Sequence, residues 1–308
     1  MFVQQSAAFI FGMSLLTATF AMETPLTGLA AQSLQPNDNT VVVQKKITTI
    51  YPDALEGPFW KLESTSQTCH LSNHVLGIGR VFLKAEAGNV EEISLQPDPY
   101  RQQHRHVLVG TQAPAWKPKS PIRIFQSKEI AAGKHFVMPV SVTQLVAMIK
   151  QGKELVIDIN RKWDANVRIQ VPSVQVQKTI AAFYQCQSQL PALNYQQAQY
   201  KQLFYHPNQG TLDDKHKQWL DNLVEYLGAD PRVKKILIDA HADASGNDLM
   251  NLMLSKKRAL SIQRYLIEKE IPIEKIQIKY HGERYPVVSN KTRSGRDKNR
   301  RVEIKLWR

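Results

Sequence analysis

Asp243, Asn251 and Arg258 are the residues whose types and spacing most suggest chemistry in this chain. Asp243 follows a strand-like run, 235–240, and precedes a helix expected over 247–270. At about 100° per residue, Asn251, Ser255 and Arg258 (i, i+4 and i+7) share one side of that helix. Leu249, Leu252, Met253, Leu260 and Ile267 gather on the other side and are expected to face the core. An acid in the loop and a guanidinium on the helix would then meet in one surface pocket. A carboxylate accepts hydrogen bonds from an ammonium group, and the planar fork of arginine matches a carboxylate. Such a pair suits a zwitterion, the head of a free or side-chain amino acid. On spacing alone, a solvated polar helix face is the simpler reading of the same stripe.

The elements around these residues alternate strand and helix. Residues 202–206 read as a strand. Residues 211–227 read as a helix with Leu212, Trp219, Leu220, Leu223 and Leu227 on one face, Thr211 as its cap, Asp214 three residues on, and Gly228 as its stop. A strand at 276–280, a turn-rich loop over 282–298 and a last strand at 300–307 follow. The order β-α-β-α-β-loop-β predicts an α+β sandwich with helices on one face of a small sheet. Upstream, residues 46–169 are mostly β. Short alternating runs such as 80–84, 92–96 and 155–159 are broken by Ala87-Gly88-Asn89 and by the prolines between 114 and 121. Helices are expected at 142–151 and 174–189. The fold class is therefore two domains, a mainly β N-terminal one of barrel or sandwich type over 46–190 and an α+β one over 195–308.

A chain of 308 residues that is 43% hydrophobic and 22% charged has enough apolar material for two cores. Its net charge of +13 is concentrated late: from Arg232 onward nineteen Lys and Arg face nine Asp and Glu, a balance of +10. A basic surface attracts polyanions or carboxylate-rich polymers. The basic residues are not interleaved with stacking aromatics, which argues against nucleic acid as the partner. Residues 7–21 form an uncharged apolar run, too short for a membrane span and suited to a signal-peptide core, although Met1–Ser6 carry no Lys or Arg. Cleavage after Ala21, Ala30 or Ala31 fits, so residues 1–31 are expected to be a leader. Export would make Cys69 and Cys186 candidates for a disulfide; two buried thiols are the alternative.

No catalytic pattern accompanies these features. His241, Asp243, Asp248 and His281 include a strand-like alternation, but there is no HExxH, GxSxG, P-loop, GxGxxG or CxxC context. The expectation is a non-enzymatic protein without cofactor or metal.

The spacing after Asp243 is more specific than a polar stripe. Asn251 lies at +8, Leu254-Ser255 at +11 and +12, and Arg258-Ala259 at +15 and +16. His281-Gly282-Glu283, Pro286, Ser289-Asn290, Gly295-Arg296 and Asn299-Arg300-Arg301-Val302-Glu303 follow. This resembles the OmpA-like peptidoglycan-binding domain from about residue 200 to 308. The resemblance implies that Asp243 and Arg258 hold the head of diaminopimelate in the peptidoglycan stem peptide, supported by Asn251, Arg300 and Asn208. Where that family has Gly-His-Thr-Asp, this chain reads Ala240-His241-Ala242-Asp243, which removes one hydroxyl. The N-terminal half carries Trp60, Ser64, Cys69, Leu71, Gly79, Ala87-Gly88, Pro114-Ala115-Trp116-Lys117-Pro118, Trp163-Asp164, Val167, Phe183 to Cys186, and Pro191-Ala192-Leu193-Asn194-Tyr195. This order is similar to the MotY family of sodium-driven polar flagellar motors. That resemblance implies a periplasmic protein whose first domain joins the T ring around the basal body with a MotX-like partner and helps recruit the stator. It also implies the Cys69–Cys186 disulfide. A general wall-anchoring envelope protein with an unrelated first domain is the alternative.

Overall fold

The computed structural model describes residues 47–50, 60–114, 116–117, 120–161 and 166–308. The expected leader, and Trp163-Asp164, lie outside them. In the first part the strands are β1 (Ile47–Ile50), β2 (Lys61–Ser64), β3 (Thr68–Val75), β4 (Gly79–Glu86), β5 (Val90–Gln96), β6 (Arg105–Gln112), β7 (Arg123–Ile130) and β8 (Val137–Pro139). Helix α1 (Val142–Lys150), β9 (Glu154–Arg161), β10 (Asn166–Val171) and helix α2 (Gln177–Gln187) follow. They build two five-stranded sheets, ordered β2-β3-β4-β5-β8 and β1-β10-β9-β6-β7. Pairing is antiparallel except for β1 with β10.

Period-two alternation explains which side is buried. Val81, Leu83 and Ala85 of β4 and Leu155, Ile157 and Ile159 of β9 point into one hydrophobic cluster shared by both sheets. α1 adds Val142, Leu145, Val146 and Ile149, and α2 adds Ile180 and Phe183. Cys186 of α2 is bonded to Cys69 of β3, with Cα atoms 6.1 Å apart, so the helix is tied covalently to the sheet. Gly88, in the β4–β5 turn, has φ +77° and donates its N–H to Pro191 O at 3.0 Å. A Cβ there would lie 2.9 Å from the Asn194 nitrogen, so glycine permits this close approach.

The second part contains α3 (Tyr195–Ala198), β11 (Tyr200–Phe204), α4 (Asp214–Ala229), β12 (Lys235–Ala240), α5 (Asp248–Glu268), β13 (Ile276–Tyr280), α6 (Arg293–Asn299) and β14 (Arg301–Trp307). The sheet order is β11-β14-β12-β13, with β12 and β13 parallel and the other pairs antiparallel. Ile236, Ile238, Val302 and Ile304 from the sheet pack on Leu220, Leu223 and Tyr226 of α4 and on Ala259, Ile262 and Leu266 of α5. Among the described residues no helix is long and apolar enough to cross a membrane.

Three local expectations are corrected. Asp213, not Thr211, caps α4 and accepts from His216 N at 2.8 Å; a carboxylate at this position answers both the unpaired N–H groups and the helix dipole. The loop expected over 282–298 contains α6, begun by Thr292, whose hydroxyl accepts from Gly295 N at 3.0 Å. The third concerns α5, which is turned the other way from the apolar stripe. Leu249 and Met253 are 65% and 58% exposed, while Asn251, Ser255, Arg258, Ala259, Ile262 and Leu266 are buried. Polar side chains can face inward where their hydrogen bonds are met, and Arg258 and Ser255 have such partners.

Candidate functional site

The site forms where β12 ends beside β14. His241 N donates to Arg301 O at 2.9 Å and Ala242 N to Gly282 O at 2.8 Å, and the chain then turns. Asp243 Oδ1 accepts from Ser245 N at 3.0 Å and from the Ser245 hydroxyl, an Asx turn that aims the carboxylate. Asn247 then caps α5 by accepting from Met250 N at 2.8 Å.

Arg300 sits at the junction of α6 and β14. Its Nε donates to Tyr205 O at 3.1 Å, while Nη1 pairs with Asp243 Oδ2 and Nη2 with Asp297 Oδ1. Burial would raise the Asp243 carboxyl, but hydrogen bonds from Ser245 and Arg300 outweigh it and hold the group below its ordinary value. The pair opens onto a cleft of about 590 Å³. Phe204, His206 and Pro207 line it from β11 and the following turn, Asp243 and Ser245 from the turn after β12, and Arg293, Arg296 and Asp297 from α6. With Arg300 the cleft holds three guanidinium groups against two carboxylates, an arrangement that favours a ligand with more negative than positive charge.

Arg258 lies beneath this surface, 0% exposed. Its Nε donates to Gln209 O at 2.8 Å, Nη1 to His241 O at 2.8 Å and Nη2 to His206 O at 3.4 Å, and the guanidinium sits 4.9 Å from the centre of the Tyr205 ring. One planar group thus joins the turn after β11 to the end of β12, the two backbones that present His206 and Asp243. Burial lowers its pKa to about 10, with Asp243 nearby acting the other way, so it stays charged at neutral pH.

Of the five residues expected to form the pocket, the structure brings Asp243 and Arg300 together at the cleft and places Arg258 behind them. Asn251 is turned elsewhere: its Nδ2 donates to Glu283 Oε2 at 2.5 Å. With Ser255, whose hydroxyl accepts from Gly282 N at 2.9 Å, it fastens the 281–283 turn to α5. Asn208 is exposed in the turn after β11, with φ +58°, and does not line the cleft. Sequence reasoning did not single out Arg293 and Arg296 as site residues because their helix reads as loop. Thr292 before a basic run, with Gly295 three residues on, is the signal that marks it.

Two domain families match the chain: the MotY N-terminal domain over residues 51–191 and the OmpA family over residues 204–300. The sodium-type flagellar protein MotY of Vibrio parahaemolyticus is 22% identical over 288 residues, covering 92% of this chain and 97% of that protein. Outer membrane protein A of Bordetella avium is 34% identical over 103 residues, covering 33% of this chain and 53% of that protein, so the match spans about half of its length. The solved peptidoglycan-associated lipoprotein of Burkholderia pseudomallei is 22% identical, covers 35% of this chain and 90% of its own, and has a TM-score of 0.33. This chain thus carries a MotY N-terminal domain over residues 51–191 followed by an OmpA-family domain over residues 204–300.

Proposed function

We propose that this protein is a non-enzymatic periplasmic component of a flagellar motor that grips peptidoglycan through its second domain. The observation that carries this reading is the Asp243–Arg300 pair at a cleft rimmed by Arg293 and Arg296. Diaminopimelate in a stem peptide presents an ammonium and a carboxylate on one carbon. Asp243 takes the ammonium, and the guanidinium groups of the cleft take the carboxylate. Arg258 uses three of its five N–H groups on backbone carbonyls; it fixes the frame and adds positive charge below the ligand.

The motor role rests on the likeness to the Vibrio protein over nearly the whole chain. In this role residues 1–31 are removed on export, residues 46–190 join the T ring around the basal body beside a MotX-like partner, and residues 195–308 tie that ring to the wall, where stator units are anchored.

Two measurements test the two halves separately. The purified chain should co-sediment with isolated sacculi, and Asp243→Ala or Arg258→Ala should weaken that binding; unchanged binding by both would defeat the cleft assignment. A deletion strain should lose swimming, and a fluorescent fusion should collect at the flagellated pole. Uniform envelope distribution with normal swimming would reject the motor role and leave a general wall anchor.

A further inference from the structure

We propose that Asp239, His241 and His281 form a binding site for a borderline transition-metal dication, Zn²⁺ foremost, on the opposite face of the second sheet from α4 and α5. Ile238 and Ala240 of β12 point into the core under the helices, so Asp239 and His241, which alternate with them, point the other way. Asp239 and Ala240 lie beside Lys279 and Tyr280 of the parallel strand β13, and His281 N donates to Ala240 O at 3.0 Å. The sheet register therefore brings a carboxylate and two imidazoles from adjacent strands together, with their ligand atoms all within 4.8 Å of one another.

The geometry is that of ligands around a shared point. Nε2 of His281 is 2.5 Å from Asp239 Oδ1, and Nε2 of His241 is 3.7 Å from the same oxygen. Asp239 Oδ1 is buried, and the two imidazoles are its nearest ionic neighbours. Bonds of about 2.0–2.1 Å in a tetrahedral ion place ligand atoms about 3.3 Å apart. The longer contact need shorten only slightly and the shorter one open by less than about 1 Å, movements within the reach of a side-chain torsion.

The rest of the surroundings suit a dication. Rings of His241 and His281 stack with centroids 5.0 Å apart, and Tyr285 meets His281 edge-on at 4.9 Å, so the outer ligand is held from two sides. Glu303, opposite Asp239 in the sheet, engages two of the nearby cations, Arg301 at 2.7 Å and Lys305 at 2.8 Å. His281 and Asp239 are partly exposed, which gives an entry path. Two imidazoles and one carboxylate favour Zn²⁺, Ni²⁺ or Cu²⁺ over Mg²⁺ or Ca²⁺. Three protein ligands leave a fourth position for water or for a donor from a partner.

The site is separate from the cleft and stands or falls independently of wall binding. The test is calorimetric titration of the tag-free, disulfide-intact chain with Zn²⁺ after chelator treatment. One equivalent should bind with a Kd below about 10 µM. His281→Ala and Asp239→Asn should each weaken binding by at least about tenfold while keeping the wild-type circular dichroism spectrum. His74→Ala, at an exposed histidine outside the cluster, should leave it unchanged. Absence of saturable binding, or full affinity in a folded His281→Ala variant, would overturn the proposal.

Discussion

The Asp243 carboxylate and the Arg300 guanidinium are paired across the turn after β12 and the end of α6, with side chains only 6% and 7% exposed. An ion pair this buried is costly to break from one side, because the remaining charge stays out of water. Arg300 keeps Asp297 and the Tyr205 carbonyl, which softens the loss. Asp243→Asn preserves shape but removes the charge that would meet a ligand ammonium. It is expected to reduce sacculus binding at least about tenfold, the scale of one charged hydrogen bond. The melting temperature, followed in parallel, separates loss of the site from loss of the fold. Wild-type affinity in a folded Asp243→Asn protein would remove Asp243 from the site.

Helix α5 offers a test of which face is buried. Ile262→Ala should cost about 2–5 kcal/mol, because the residue packs fully against the sheet. Leu249→Ala, at an exposed position, should stay within about 0.5 kcal/mol of wild type. Urea denaturation of both variants reads the difference, and the reverse ranking would favour the apolar stripe as the core face. The comparison also shows what the sequence made legible. The strands expected at 235–240 and 276–280 have those same bounds in the structure, as β12 and β13. The existence of α5 was equally plain. Its rotation was not, because apolar counting assumes that polar residues face water. Arg258 breaks that assumption by finding three backbone carbonyls, all contributed by segments distant in sequence. The same blindness hid the cleft wall: α6 is short, glycine-containing and flanked by turn residues, so only its cap marked it. Asp243 and Arg300 were both nameable from the spacing of the family motif, but their direct pairing depends on the meeting of two loops.

The disulfide joins residues separated by 117 positions. In the chain-entropy account, closing a loop of that length stabilises by about 4–5 kcal/mol. Cys69 is fully buried against the sheet and α2 contributes Ile180 and Phe183 to the same core, so loosening α2 exposes apolar surface as well. Reductant, or the Cys69→Ser/Cys186→Ser double variant, is expected to lower the denaturation midpoint of the first domain. Identical midpoints with and without reductant would show that the core alone holds α2.

Asp230 sits beside the contact between the second domain and the first and sets a pH dependence. Its side chain is almost fully buried at the end of α4 and accepts from Tyr226 at 2.6 Å, Arg232 at 2.7 Å and Arg308 at 2.6 Å. Next to it, Ser66 of the first domain donates to Ala229 O at 2.8 Å. Burial pushes the Asp230 carboxyl upward, but the hydrogen bonds from Arg232, Tyr226 and Arg308 outweigh it and hold the group well below the ordinary carboxylate range. A carboxylate depressed by folding contributes stability that is fully present above its unfolded pKa of about 4 and is lost as the pH falls below it toward the folded value. The wild-type melting temperature should therefore fall on acidification below about pH 4, while Asp230→Asn should start lower and fall less steeply. The neutral-pH cost should be modest, about 1–3 kcal/mol, because the asparagine still accepts hydrogen bonds and Arg232 is 62% exposed and remains hydrated. Parallel melting curves for the two proteins from neutral pH down to about pH 2 would show that this cluster does not set the acid limit.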